Sequence, residues 1–83
     1  MYQIVIRRRA VKDLANLPSN YPNLVGQHIN DLAQNPRPQD AKKLKGNLGY
    51  ALRVGVYRVL YDIDDIKHQV TIYRIKHRRN AYQ

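Results

Sequence analysis

Apolar and other residues alternate along residues 50–61, Tyr-Ala-Leu-Arg-Val-Gly-Val-Tyr-Arg-Val-Leu-Tyr, on both sides of Gly55. A period of two is the pattern of half-buried strands. With Gly55-Val56 as a two-residue loop, glycine takes the first loop position, as a type II′ turn requires. That loop sets Val54 opposite Tyr57, Arg53 opposite Arg58 and Leu52 opposite Val59. One face of the hairpin then carries Tyr50, Leu52, Val54, Tyr57, Val59 and Tyr61, which is a core face. The other carries Ala51, Arg53, Arg58 and Leu60, with two arginines opposed at its centre.

The rest of the chain reads as follows. Residues 2–6 alternate with Tyr2, Ile4 and Ile6 on one side, a short strand. After Arg7-Arg8-Arg9 a helical period brings Ala10, Val11, Leu14 and Leu17 onto one stripe, and Pro18-Ser19-Asn20 closes the helix. A second helix fits residues 21–34. Pro22 suits its first turn, Leu24, Val25, His28, Ile29, Leu32 and Ala33 form its apolar side, and Asn35-Pro36 ends it. The short connection makes the two helices antiparallel neighbours. Residues 35–49 read as a loop and Asp62-Ile63-Asp64-Asp65 as a solvent-facing turn, too poor in ligand spacing for an EF-hand. Gln69–Lys76 is nearly continuous in apolar and β-branched residues, a central strand buried on both faces.

This order, β-α-α-β-β-β, predicts an α+β fold. A two-helix antiparallel hairpin packs on one face of a small, mostly antiparallel four-stranded sheet, because the helical stripes have nowhere else to go. The face with Arg53 and Arg58 is left to solvent. The whole of 1–83 is one domain, too small for a deep cavity, since a chain of this length buries only about 60–65% of its unfolded surface.

Charge sharpens the picture. Fifteen Lys and Arg stand against six Asp, with no Glu, for a net +9. Residues 1–36 hold four basic and two acidic side chains, and residues 37–83 hold eleven and four. A field of this sign attracts polyanions, either nucleic acid or an acidic protein. The absence of cysteine excludes a disulfide scaffold and a Cys-based zinc site. No convincing metal constellation is present and no cofactor is implied. No apolar run nears the ~18 residues of a membrane helix, and no apolar leader opens the chain, so a cytoplasmic protein away from membranes is expected.

Like charges directly opposed in a ladder cost roughly 0.2–1 kcal/mol. A solvated surface gains nothing from this, whereas two guanidinium groups can grip one phosphate with charge-assisted, bidentate bonds. Lys42, Lys43 and Lys45 enter the hairpin directly and suit either a solvated loop or an RNA-contacting rim. The tail His77-Arg78-Arg79-x-x-Tyr82 follows the last strand. Beside the arginine pair, Arg78 adds a third cation, Tyr82 a hydroxyl and His77 a group that titrates near neutral pH.

Taken together, Asn35-Pro36, Lys43-Leu44-Lys45-Gly46, Arg53-Val54-Gly55-x-Tyr57-Arg58-Val59-Leu60-Tyr61 and Ile75-Lys76-His77-Arg78-Arg79-x-x-Tyr82 resemble the RelE/ParE toxin superfamily. Ala10-x-Lys12-Asp13-Leu14-x-x-Leu17 agrees with it. The resemblance implies a toxin paired with an antitoxin protein that wraps it. The RelE branch are metal-independent endoribonucleases that cut mRNA in the ribosomal A site, and the ParE branch inhibits DNA gyrase. In the RelE branch a basic cluster on the open sheet face, a C-terminal arginine and a C-terminal tyrosine carry the reaction. The matching positions are Arg53, Arg58, Arg78 and Tyr82. Ala51 falls where well-known members place a lysine proposed as proton donor or acceptor, which leaves the general acid/base assignment open.

The expected chemistry is attack of the RNA 2′-oxygen on the adjacent phosphorus. Arg53, Arg58 and Arg78 are expected to stabilise the phosphorane. Tyr82 is expected to be the general base, its phenolate favoured by the surrounding cations, with His77 as the stand-in. A gyrase inhibitor on the same fold is the alternative function, and a basic nucleic-acid-binding module without activity is the third.

Overall fold

The computed structural model describes residues 1–79. The elements run β1 (Gln3–Ile6), α1 (Arg8–Ala15), α2 (Tyr21–Asp31), β2 (Ala41–Lys43), β3 (Tyr50–Val54), β4 (Tyr57–Asp64) and β5 (Gln69–His77). The strands form one sheet in the order β1-β5-β4-β3-β2. Only β1 and β5 run parallel, and the other three pairings are antiparallel.

The hairpin has the expected register, including Val54 opposite Tyr57 and Arg53 opposite Arg58. Gly55 has φ 61°, the sign a type II′ loop demands at its first position. Both helices cover one face. Ala10, Val25, Ile29 and Leu32 close over Leu52, Val54, Val59, Tyr61, Val70, Ile72 and Ile75 in one core. Each large apolar side chain buried there contributes about 1.5–3 kcal/mol. Tyr61, fully buried, satisfies its hydroxyl by donating to the Pro36 carbonyl at 2.7 Å. Burial raises that phenol to about 12.

Four local expectations are corrected. The sheet has five strands rather than four, because Ala41–Lys43 pairs with Tyr50–Leu52 as an edge strand. Asp62 and Asp64 belong to β4, and the turn lies beyond them. There Asp64 accepts the N–H groups of Ile66 and Lys67 at 3.1 and 3.0 Å, and His68 adopts φ 52°. α2 ends at Asp31, and the exposed side chains of Val11 (51%) and Leu24 (43%) are outside the buried stripes. Finally, β5 is not buried on both faces: fully buried and half-buried residues alternate along most of it.

A β-bulge interrupts the β4–β5 ladder. Tyr61 pairs with Ile72 but Leu60 pairs with Arg74, so Tyr73 is the extra residue. The bulge changes which side of the sheet each later residue occupies. Val70 and Ile72 face the helices before it, and Ile75 and His77 face them after it, opposite Val59 and Tyr57. Past Ile6, β1 no longer covers the β5 edge, and α1 takes its place. Asp13 accepts the Ile75 N–H at 2.9 Å and the Arg74 guanidinium at 2.8 Å. Burial pushes the Asp13 carboxyl up, but the Arg74 and Ile75 bonds outweigh it and hold the group below its ordinary value of 3.8.

Candidate functional site

The face left bare by the helices is organised in rows by the strand register. The row nearest the hairpin tip is Arg53 on β3, Arg58 on β4 and Lys76 on β5, each directly opposite the next. The Arg53 N–H donates away from β4, to the Asp40 carbonyl at 3.2 Å. Arg53 and Arg58 are therefore a non-hydrogen-bonded pair, the kind whose Cα atoms lie about 4.5 Å apart with side chains closest. The next row is Lys42, Ala51, Leu60 and Arg74. Ala51 (3% exposed) and Leu60 (6%) make an apolar floor beside the cations, outside the main core. Tyr73, from the bulge, donates its hydroxyl to the Leu48 carbonyl, so its ring crosses β4 and bounds that floor. Burial and then the Asp62 carboxylate raise its phenol.

The tip that presents Arg53 and Arg58 is braced from below. Tyr57 packs edge-to-face on Tyr21 with centroids 4.8 Å apart, and His77 packs on Tyr57 in the same way at 5.5 Å. The Tyr21 hydroxyl lies so close over Gly55 that an added Cβ would meet it at 2.9 Å. The Arg78 N–H donates to the Val56 carbonyl at 2.7 Å, tying the start of the tail to the loop.

The expected site residues divide accordingly. Arg53 and Arg58 are brought together, and Arg78 is anchored beside their loop. Lys42 shares the open face, one row away. Lys43, opposite Tyr50, belongs to the other side of the sheet, and Lys45 lies in the exposed loop. His77 is corrected: the bulge sends it to the helix-covered face, against Tyr57, and its Nδ1 accepts the Arg79 N–H at 3.3 Å. Tyr82 lies outside the described residues. Lys76 was missed by the sequence reading, because nothing in residues 69–77 marks the extra residue that turns it onto the arginine row.

The other arginines with defined partners are structural in character. Arg74 is spent on Asp13. Arg37 bonds Asp65 at 2.8 Å and the Tyr50 hydroxyl at 3.1 Å, while Tyr2 donates to the same Asp65 at 2.5 Å. The Arg37 and Tyr2 bonds hold the Asp65 carboxyl down to about 2. Among the described residues, neither Arg53 nor Arg58 reaches a carboxylate.

Residues 4–82 match the family described as ParE toxin of type II toxin-antitoxin system, parDE. RelE1 of Methanocaldococcus jannaschii is 33% identical over 86 residues, covering 99% of this chain and 96% of the relative. The fold is similar to a chain of the Mycobacterium tuberculosis RelBE2 toxin-antitoxin complex, with TM-score 0.81, 32% identity and coverage of 93% of this chain and 98% of that one. It is also similar to a chain of the archaeal RelE-RelB complex of Pyrococcus horikoshii, with TM-score 0.83, 29% identity and coverage of 96% and 98%. Fold, family match and relatives agree, and the chain belongs to the ParE toxin family of type II toxin-antitoxin systems, within the RelE/ParE superfamily.

Proposed function

We propose that the chain is a RelE-type toxin that cuts mRNA in the ribosomal A site and is held inactive by a cognate antitoxin. The observation that carries this reading is the opposed pair Arg53–Arg58 on the uncovered face, at the tip of a hairpin braced by Tyr21 and Tyr57. Opposed like charges without a carboxylate are an unfavourable arrangement that an incoming phosphate relieves. The relatives named RelE support the choice of branch.

In this reaction the 2′-oxygen attacks the adjacent phosphorus, a 2′,3′-cyclic phosphate forms, and the P–O5′ bond breaks. Arg53, Arg58 and Arg78 stabilise the negative charge of the phosphorane. Fixed donors do this without reorganising as charge develops. Tyr82 takes the 2′-OH proton as its phenolate, favoured by the surrounding cations. The reaction so written needs no metal. The exposed, shallow face requires the ribosome to hold the substrate, and it offers the antitoxin a basic surface whose charge aids encounter with an acidic partner.

The test is primer extension on an mRNA under translation in a purified system, with and without ribosomes. Discrete cuts that require ribosomes and vanish with Arg58→Ala support the reading. Retained cutting by Tyr82→Phe removes Tyr82 from the base role. The absence of cuts, together with inhibition of gyrase in a supercoiling assay, would replace the reading with gyrase inhibition.

A further inference from the structure

Two members of the cationic row cannot move a proton. Arginine remains protonated at any working pH, so Arg53 and Arg58 bind and neutralise but do not donate a proton to a leaving group. The cleavage proposed above needs such a donor at the 5′-oxygen. Ala51 has nothing to give: it is buried in the apolar row opposite Leu60. His77 is on the far side of the sheet, packed edge-to-face on Tyr57. Tyr73 is turned to the Leu48 carbonyl.

Lys76 is the remaining titratable member of the row. The Arg78 N–H bonds the Val56 carbonyl, and two residues further along the ladder comes the Arg58–Lys76 pair. This is a hydrogen-bonded pair, whose Cα atoms lie about 5.5 Å apart. The row from Arg53 to Lys76 therefore spans roughly 10 Å, with Arg58 at its centre. A phosphate held by the two arginines has Lys76 on its open flank. The ammonium is compact, sits on a flexible stem and carries three rotatable donors, which suits delivery of a proton to an oxygen at the edge of the clamp.

We infer that Lys76 is the general acid of the cleavage, donating its proton to the departing 5′-oxygen. This rests on the endonuclease reading. In the step, the P–O5′ bond breaks, the electron pair stays on the 5′-oxygen, and the Lys76 ammonium supplies the proton that makes it a 5′-hydroxyl. The Lys76 amine recovers its proton from water. The bulge at Tyr73 creates this arrangement, since a straight ladder would present His77 to Arg58's side of the sheet and turn Lys76 towards the helices.

The experiment compares two ribosome-bound mRNAs under single-turnover conditions. One has the ordinary phosphodiester at the A-site cut, and the other has sulfur in place of the bridging 5′-oxygen. A thiolate leaves without a proton. Lys76→Met, which keeps an unbranched side chain, is expected to cut the oxygen substrate at least about 10²-fold more slowly than the native protein. On the sulfur substrate it is expected within about tenfold of native. Lys76→Arg keeps the charge but not the mobile proton, and it is expected to follow Lys76→Met. Arg58→Ala is expected to be slow on both. Native-like cutting of the oxygen substrate by Lys76→Met overturns the assignment. So does equal slowing of both substrates, which makes Lys76 a charge contact only. If the native protein leaves both substrates intact, the endonuclease reading itself fails and takes the assignment with it. That pattern differs from either failure of Lys76 alone.

Discussion

Arg37 and Arg74 end on carboxylates, whereas Arg53 and Arg58 face each other. The first two stitch distant segments. Arg74 joins β5 to α1 through Asp13, and Arg37 joins the loop after α2 to the β4–β5 turn and to Tyr50. Both guanidiniums are held more firmly protonated by these partners. Among the described residues the second two reach no carboxylate. They sit on the face the helices leave bare, on a tip braced by Tyr21 and Tyr57, and the Arg58 guanidinium donates only to its neighbour's carbonyl, that of Tyr57, at 3.4 Å. The same residue type thus serves cohesion where a carboxylate meets it and stands on the open face where none does. Partner, rather than composition, separates the two uses.

The comparison breaks most visibly at Arg58. Arg58→Ala is expected to lower mRNA cleavage by about 10²–10³-fold, the usual cost of losing one fixed donor to a charged transition state. Its melting temperature should stay near that of the native protein, because removal of one of two opposed like charges costs little. A large fall in melting temperature would move Arg58 into the cohesive class. The reverse is expected of Asp13→Ala, which strands Arg74 and the Ile75 N–H together. It should cost about 1–3 kcal/mol. At about 4–8 °C per kcal/mol for a domain of this size, calorimetry will resolve the shift.

A smaller effect tests the bracing of the tip. Gly55→Ala places a side chain at φ 61° and against the Tyr21 hydroxyl. The backbone strain costs about 1–2 kcal/mol, while the far end of Tyr21 can swing aside. Unchanged stability in this variant would show that the aromatic brace does not depend on close approach at residue 55. The smallest effect concerns acid. Asp65 titrates near 2 in the folded chain against 3.8 in its ordinary state, and Asp13 is lowered in the same sense. A carboxylate depressed on folding stabilises the native state above its unfolded pKa and loses that contribution as pH falls. Melting temperature should therefore decline as pH drops from about 4 towards 2. Asp65→Asn should flatten part of that slope, and high salt should weaken the effect because the pair is exposed.

The hairpin was legible because three signals coincide there: alternation on both sides, a glycine at the only position that needs positive φ, and matched apolar faces. The helices were legible in place but not in extent. Val11 and Leu24 extend apolar patterns past the surface that the sheet can cover. β2 was not legible. A run of Ala-Lys-Lys after Pro38 carries no strand pattern of its own and becomes a strand only by pairing with β3. Charged residues on such an edge also discourage further pairing. The division between Lys76 and His77 was hidden for a different reason. Alternation fixes sides only while the ladder is regular, and the irregularity at Tyr73 is a property of two strands together.

That irregularity also makes the open face editable. Deleting Tyr73 would restore a regular ladder, remove the ring that bounds the apolar floor, and leave Lys76 opposite Arg58. Loss or gain of a single codon thereby opens or bounds the Ala51–Leu60 floor without moving the cationic row beside it. The stretch Val70–Ile72 and the hairpin beneath it would keep their register.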